Sequence, residues 1–251
     1  MNSLNIQLEH RPWIVDERPF PHILVPRLFK SEFADALSQQ VRCIIRNPHS
    51  MRHFGWYDAY TRGFEQTTTG PLSVFISAAW HDLIADIMRI PATRHINGGI
   101  HHHPPGTANG FVHNDLNPVY FDRDPGDGVA LPAHDRVSYT QGTVLASDAR
   151  PRRVVRCTAL LYYVANPPWR VGDGGETGLY ARLDDAITNA IKRIPPINNS
   201  MLVFNCAPIS FHAFLRNRTE RNCVVMWLHA EPEHMGERFG YDSFVEFADR
   251  D

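Results

Sequence analysis

Residues 95–113, HINGGIHHHPPGTANGFVH, decide how this chain is read. Residues 95–103 form a β-type run, Pro104-Pro105-Gly106 is a turn, and residues 110–113 form a second extended run. Working outward, the same texture continues through 154–164, 176–180, 200–206 and 222–230, with Gly, Pro and Asn between the runs. Strands at this frequency, without helices long enough to serve as crossovers, predict an antiparallel sandwich or barrel and argue against a parallel α/β sheet. Residues 183–194 are the exception, and their pattern predicts one short helix.

Before residue 95 the chain reads differently. Pro12, Pro19, Pro21 and Pro26 forbid a helix, leaving His22–Val25 as a short strand. Ser31 is expected to cap a helix with Phe33, Leu37, Val41 and Ile44 on one face, ending by Asn47-Pro48. Residues 49–70 show no sustained period and read as loop with room for a strand. A second helix is expected from Pro71 to about Ile90, with Phe75, Ala79, Leu83 and Ile87 inward. The whole, 1–251, is read as a single domain. Its parts are a helical support region (1–94), a β core (95–230) and a C-terminal extension (231–251). Within the core, 122–152 is read as a lid-like insertion carrying a small hairpin about Gln141-Gly142.

Charge and composition narrow the class. With 25 basic and 27 acidic residues, a net charge of −2 and 43% hydrophobic residues, the chain is a soluble globular protein. It has no electrostatic footprint for nucleic acid or an anionic membrane. No secretory leader and no apolar run of membrane-spanning length are visible, so a cytoplasmic location is expected. Cys43, Cys157, Cys206 and Cys223 have no paired spacing and read as free, mostly buried thiols. The oligomeric state is not readable from these features.

The unusual count is 14 histidines. A non-haem Fe(II) site needs two imidazoles and one carboxylate on one side of the metal. His113-Asn114-Asp115 offers an imidazole and a carboxylate two residues apart, directed to one face of an extended chain. Chance alone supplies about one or two such pairs, and a second, His229-Ala230-Glu231, is present. His113 lies beside a turn and ahead of the long insertion, where a barrel mouth is expected. His229 closes a strand just before Pro232 and reads as a surface residue. The third ligand is expected from a distant strand, and His212 is the best candidate. Arg221, nine residues later, suits the far carboxylate of a chelating 2-oxo diacid, because a guanidinium stays charged when buried and pairs bidentately. Strand alternation puts His101 and His103 on one face and His102 on the other, against a second metal site. Residues 172–175, GDGG, read as a tight turn, and the aromatics between Trp56 and Tyr60 as mouth lining or helix packing.

The ordered set His113-x-Asp115, Leu161-Tyr162-Tyr163, Gly174-Gly175-Glu176-Thr177-Gly178-Leu179, His212, Arg221 and Val224-Val225-Met226-Trp227 resembles the Fe(II)/2-oxoglutarate-dependent oxygenases, in particular their prolyl-hydroxylase-like branch. The resemblance spans about residues 98–230. It implies a mainly β fold with supporting helices, a double-stranded β-helix of the jelly-roll or cupin-like kind with N-terminal helices. It implies His113, Asp115 and His212 as catalytic iron ligands, and Arg221 and Tyr163 on the distal carboxylate of 2-oxoglutarate. Leu161 would line the cosubstrate pocket. His103 stands where the family often has a tyrosine, and is read as a contact to cosubstrate or substrate. The implied cofactors are Fe(II), 2-oxoglutarate and O2, with ascorbate as a stimulant. The expected activity is hydroxylation of an unactivated C–H bond, with release of succinate and CO2. A small molecule, an amino acid or a natural-product intermediate, is the favoured substrate. The alternatives are a peptidyl-prolyl-type hydroxylase and a non-catalytic cupin-like binding protein.

Overall fold

A computed structural model describes residues 3–54 and 59–247. In chain order its elements begin with α1 (Ser3–Gln7), β1 (Ile14–Asp16), β2 (His22–Val25), α2 (Ser31–Ile45), β3 (Arg52–Phe54), β4 (Ala59–Gly63) and α3 (Ala78–Met88). They continue with β5 (Ala92–His103), β6 (Pro118–Phe121), β7 (Arg152–Tyr163), β8 (Thr177–Leu179), β9 (Lys192–Ile194), β10 (Ser200–Asn205), β11 (His212–Phe214), β12 (Arg221–Ala230) and α4 (Pro232–Phe239).

Two antiparallel sheets face one another. The large one runs β1-β2-β10-β7-β12-β5-β4-β3, with β6 also paired to β7, and the small one runs β11-β8-β9. The large sheet sorts its residues by alternation. Ile100, Leu160, Tyr162, Val224 and Met226 go to one face, where they are buried against Leu37, Val41, Trp80 and Ile84 of α2 and α3. Each such large apolar side chain contributes about 1.5–3 kcal/mol on full burial. The other face looks toward the small sheet and carries His101, Leu161, Arg221, Val225 and Trp227. The fold is therefore the mainly β, helix-supported double-stranded β-helix expected from sequence, and the space between its sheets holds the candidate site.

The N-terminal third departs from expectation in detail. Ser31 is the first residue of α2 rather than its cap, which is Lys30 and makes no side-chain capping bond. The helix expected over 71–90 is split. A 3-10 turn covers Pro71–Ile76, and Ser77 then caps α3 by accepting from the Trp80 amide at 3.2 Å. This break turns Trp80 and Ile84 fully inward and leaves Ala79, Leu83 and Ile87 half-buried. Within 49–70 the strand content is β3 and β4. Trp56 and Tyr57 fall outside the described residues, and Tyr60 pairs with His102 in register.

Three further expectations change. Residues 183–194 form a 3-10 turn (Ile187–Asn189) and β9 instead of a helix. Leu183 and Ile191 are exposed and only Ile194 turns inward, so no helical apolar face exists to bury. Residues 110–113 form no strand, touching the small sheet through an isolated bridge between His113 and His212 and a hydrogen bond from the Gly110 amide to the Phe214 carbonyl at 2.9 Å. Finally, 122–152 is anchored by a few buried side chains. The expected hairpin is reduced to a single bridge, Val137 to Val144, while Ala130, Val137, Tyr139 and Ala149 are buried.

Candidate active site

A cavity of about 370 Å³ opens between the sheets. His113 and Asp115 reach it from the extended segment ahead of β6, and His212 from the first position of β11. The His113–His212 bridge locks the two segments together, each amide donating to the other's carbonyl at 3.1 and 2.8 Å. The result is a cluster in which one ligand atom from each of His113, Asp115 and His212 lies within 4.8 Å of the others. The separations are 3.8 Å from His113 Nε2 to Asp115 Oδ1 and 3.4 Å from His212 Nε2 to Asp115 Oδ2.

The donor chemistry fits a metal ion. His113 Nδ1 sits 2.9 Å from the Phe111 carbonyl, and His212 Nδ1 sits 3.0 Å from the Ser210 carbonyl. A carbonyl only accepts, so each ring carries a proton on Nδ1, and its Nε2 faces Asp115. Burial, reinforced by His212, lowers the His113 pKa to about 4. At Asp115 burial acts upward, but the neighbouring His212, Arg156 and His113 hold the carboxyl well below the usual carboxylate range. Two imidazoles and one carboxylate are the ligand set that suits non-haem Fe(II). Trp227 steadies the carboxylate by donating from Nε1 to Asp115 Oδ2 at 2.8 Å.

A cation lies elsewhere in the same cavity. Arg221 is only 3% exposed. It donates from Nη1 to Cys223 Sγ at 2.9 Å and from Nη2 to Thr177 Oγ1 at 3.3 Å, while its Nε is buried without a partner. No carboxylate among the described residues pairs with it, so neither Glu220 nor Glu231 serves as its counter-ion, and Glu231 is bound to Arg152 instead. A buried cation with an unfilled donor is costly unless an anion completes it. His103 pairs with Arg221 in register and stacks on Phe214 at 4.0 Å, with Nδ1 also unpartnered. Burial, then the Arg221 charge, lowers the pKa of His103 well below its usual value and that of His101 to about 4, so both stay neutral beside the guanidinium.

The cavity wall includes every expected site residue except Tyr163. Leu161 is in place. The Tyr163 hydroxyl is instead 2.7 Å from Thr177 Oγ1, and the ring lies under Arg221 at 5.3 Å. Thr177 is thus the group that reaches the cavity, and sequence reasoning missed it. Also missed were Arg156, Asn117 and residues 245–247, all of which line the wall. Arg156 had a signal, a charge inside the apolar run 154–163. The C-terminal residues had none, since hydrogen bonds of Val245 to Leu116 (3.0 Å) and Asn117 (2.6 Å) bring them in. The insertion 122–152 contributes no residue to the wall, in contrast to its reading as a lid. His229, expected at the surface, is fully buried. Around 172–175 the tight turn is present, with Gly174 at φ +75° and a Cβ there placed 2.0 Å from the Arg216 carbonyl.

Residues 120–229 match the 2OG-Fe(II) oxygenase superfamily. This span holds Tyr163, His212 and Arg221 but begins after His113 and Asp115, which geometry alone brings to the site. That family, the 2-oxoglutarate-dependent non-haem iron dioxygenases, uses Fe(II), 2-oxoglutarate and O2, and the His-Asp-His cluster of this chain fits such an iron. No curated protein sequence matches it. Among solved structures it is similar to a Pseudomonas putida prolyl-4-hydroxylase, with a TM-score of 0.54 and 15% identity over 84% of this chain and 92% of that one. It is similar also to prolyl 4-hydroxylases from Phytophthora capsici, with a TM-score of 0.53 and 15% identity over 91% and 63%. A third is a Trichoplax adhaerens prolyl hydroxylase in complex with a hypoxia inducible factor peptide fragment, with a TM-score of 0.52 and 15% identity over 83% of each chain. These likenesses show the fold. Among the described residues no helix is long and apolar enough to cross a membrane.

Proposed function

We propose that this chain hydroxylates a C–H bond of a small molecule, with His113, Asp115 and His212 holding Fe(II) and Arg221 holding the distal carboxylate of 2-oxoglutarate. The observation that carries the reading is the buried, anion-free Arg221 in the same cavity as the His-Asp-His cluster. When bound, the iron supplies the oxidising chemistry that couples decarboxylation of 2-oxoglutarate to attack on the substrate. The chain's own residues do the rest. Arg221 and Thr177 orient the cosubstrate, with Tyr163 bracing the threonine hydroxyl, and Leu161 and Val225 exclude water from its carbon chain. His103 adds a neutral wall beside the guanidinium.

A small-molecule substrate is supported by the limited cavity and by the wall that Val245, Glu246 and Phe247 place at its side. The second reading, a prolyl residue in a protein, draws on the prolyl hydroxylases that share the fold. Purified protein with Fe(II), ascorbate and 2-oxoglutarate, screened against metabolite and proline-rich peptide pools for succinate release, tests both. Stimulation by a metabolite supports the first reading, stimulation only by peptides moves the assignment to the second, and no succinate under any condition overturns the enzyme reading.

A further inference from the structure

A buried hydrogen-bonded chain runs beneath Asp115, away from the cosubstrate end. Arg156 Nη1 lies 3.3 Å from Asp115 Oδ1, and Arg156 Nε lies 3.3 Å from the Tyr139 hydroxyl. That hydroxyl is 3.0 Å from His229 Nε2, and His229 Nδ1 is 2.8 Å from the His95 carbonyl. The direction of every bond follows from the last one. The carbonyl can only accept, so His229 carries a proton on Nδ1, and because burial keeps the ring neutral Nε2 is left as an acceptor. Tyr139 must then donate to His229, which leaves its oxygen lone pairs for the Arg156 Nε–H. The guanidinium, with Nε occupied, turns Nη1 toward Asp115. Its plane is held as well, 4.0 Å from the Trp227 ring, and the Trp227 indole donates to the other oxygen of Asp115.

We infer that Tyr139 and His229 are positioning residues: they aim Arg156 at Asp115 and so set the orientation of the carboxylate that completes the triad. The segment 122–152 then acts on the site from below, through Tyr139. The inference rests on the reading of His113, Asp115 and His212 as metal ligands. Outer partners of metal ligands commonly change metal affinity by roughly 10–100-fold when removed. Here the effect reaches the metal through two intermediaries.

Tyr139→Phe is the informative variant, because it keeps the ring that packs on Phe121 and removes only the hydroxyl. The measurement is a Co(II) titration of the full chain, without 2-oxoglutarate, followed by the cobalt d–d absorption, with the thermal midpoint recorded in parallel. Wild type should bind one Co(II). Arg156→Met should weaken binding by about 10–100-fold. Tyr139→Phe should weaken it by about 3–10-fold, the size of one lost hydrogen bond, and shift the absorption band. In the Arg156→Met background, adding Tyr139→Phe should cost nothing more, since the path it acts through is gone. Unchanged affinity and spectrum in Tyr139→Phe, or an equal loss with and without Arg156, overturns the inference. If Arg156→Met does not fold, His229→Phe replaces it in the cycle: it should reproduce the Tyr139→Phe shift and not add to it, and independent losses overturn the inference. Failure of wild type to bind Co(II) is a different outcome, which overturns the metal reading and this inference with it.

Discussion

Two guanidinium groups are buried in one cavity, and they are in opposite electrostatic situations. Arg156 has a carboxylate, a tyrosine hydroxyl, an asparagine and an indole ring around it. Arg221 has a thiol, a threonine hydroxyl and two aromatic rings, and no anion among the described residues. They stand toward opposite ends of β12, since Arg221 opens that strand and Arg156 pairs with His229 near its close. Burial of a cation is tolerated when its partners come with the fold, as at Arg156. It is a standing cost when the partner must come from outside, as at Arg221. The first arrangement is structural support for the triad, and the second is a receptor for an anionic cosubstrate.

The largest effects should come from the triad that lies between them. Asp115→Ala and His212→Ala remove metal ligands, and each should lower turnover at least roughly 1,000-fold, several kcal/mol of transition-state stabilisation. Wild-type turnover in either would break the comparison, because neither arginine would then flank a catalytic centre. Succinate formation at saturating 2-oxoglutarate is the assay.

Next comes the contrast itself. Arg221→Ala should raise the 2-oxoglutarate concentration needed for half-maximal rate by about 100-fold while leaving Co(II) affinity near wild type, because a fully desolvated charged contact is worth about 2–5 kcal/mol. Arg221→Lys should recover only part of this, lacking the planar fork. The apo protein offers a sharper comparison. Arg221→Met removes an uncompensated buried charge and should raise the thermal midpoint by a few degrees, roughly 2–4 °C per kcal/mol at this chain length. Arg156→Met strands Asp115 and should lower it. Midpoints that move in the same direction would show that the two arginines are equivalent.

Thr177→Val should have a smaller effect. It removes the hydroxyl shared by Tyr163 and Arg221 while keeping the β-branched shape on β8. The expected loss is about 10-fold in 2-oxoglutarate affinity, measured by isothermal titration with Co(II) present, with no change in metal affinity. An equal loss in metal affinity would mean that Thr177 supports the triad end instead.

How much of this was readable beforehand follows the same division. The Arg221 end was legible, because Arg221 and Val225 lie on a strand with clear alternation, and β5, β7 and β12 begin and end within three residues of the β-type runs that announce them. The Arg156 end was not. Tyr139 sits in a segment without periodicity, and its partnership with His229 exists only after β6, β7 and β12 pair. Periodicity also says nothing of β6, β9 and β11, strands of four residues or fewer that are defined by their partners. The residues at 245–247 reach the cavity wall through two backbone-directed hydrogen bonds, which leave no mark in side-chain chemistry.

The smallest expected effect is that of pH, and it bears on the Arg156 end, where His229 is useful only while neutral. Burial pushes the pKa of His229 well below its usual value, against the opposing bond to the His95 carbonyl. Burial likewise lowers His22, His81 and His95. A histidine whose value is depressed in the folded state gives its full stabilisation above the unfolded value, about 6.5, and loses it as pH falls below that, because the unfolded chain takes up a proton that the folded chain refuses. Each such group then costs up to about 1.4 kcal/mol per pH unit. The thermal midpoint should therefore fall by several degrees between pH 7 and pH 5.5. His229→Phe should shrink the fall. A midpoint that rises toward acid would remove the neutral acceptor on which the support of Arg156 depends.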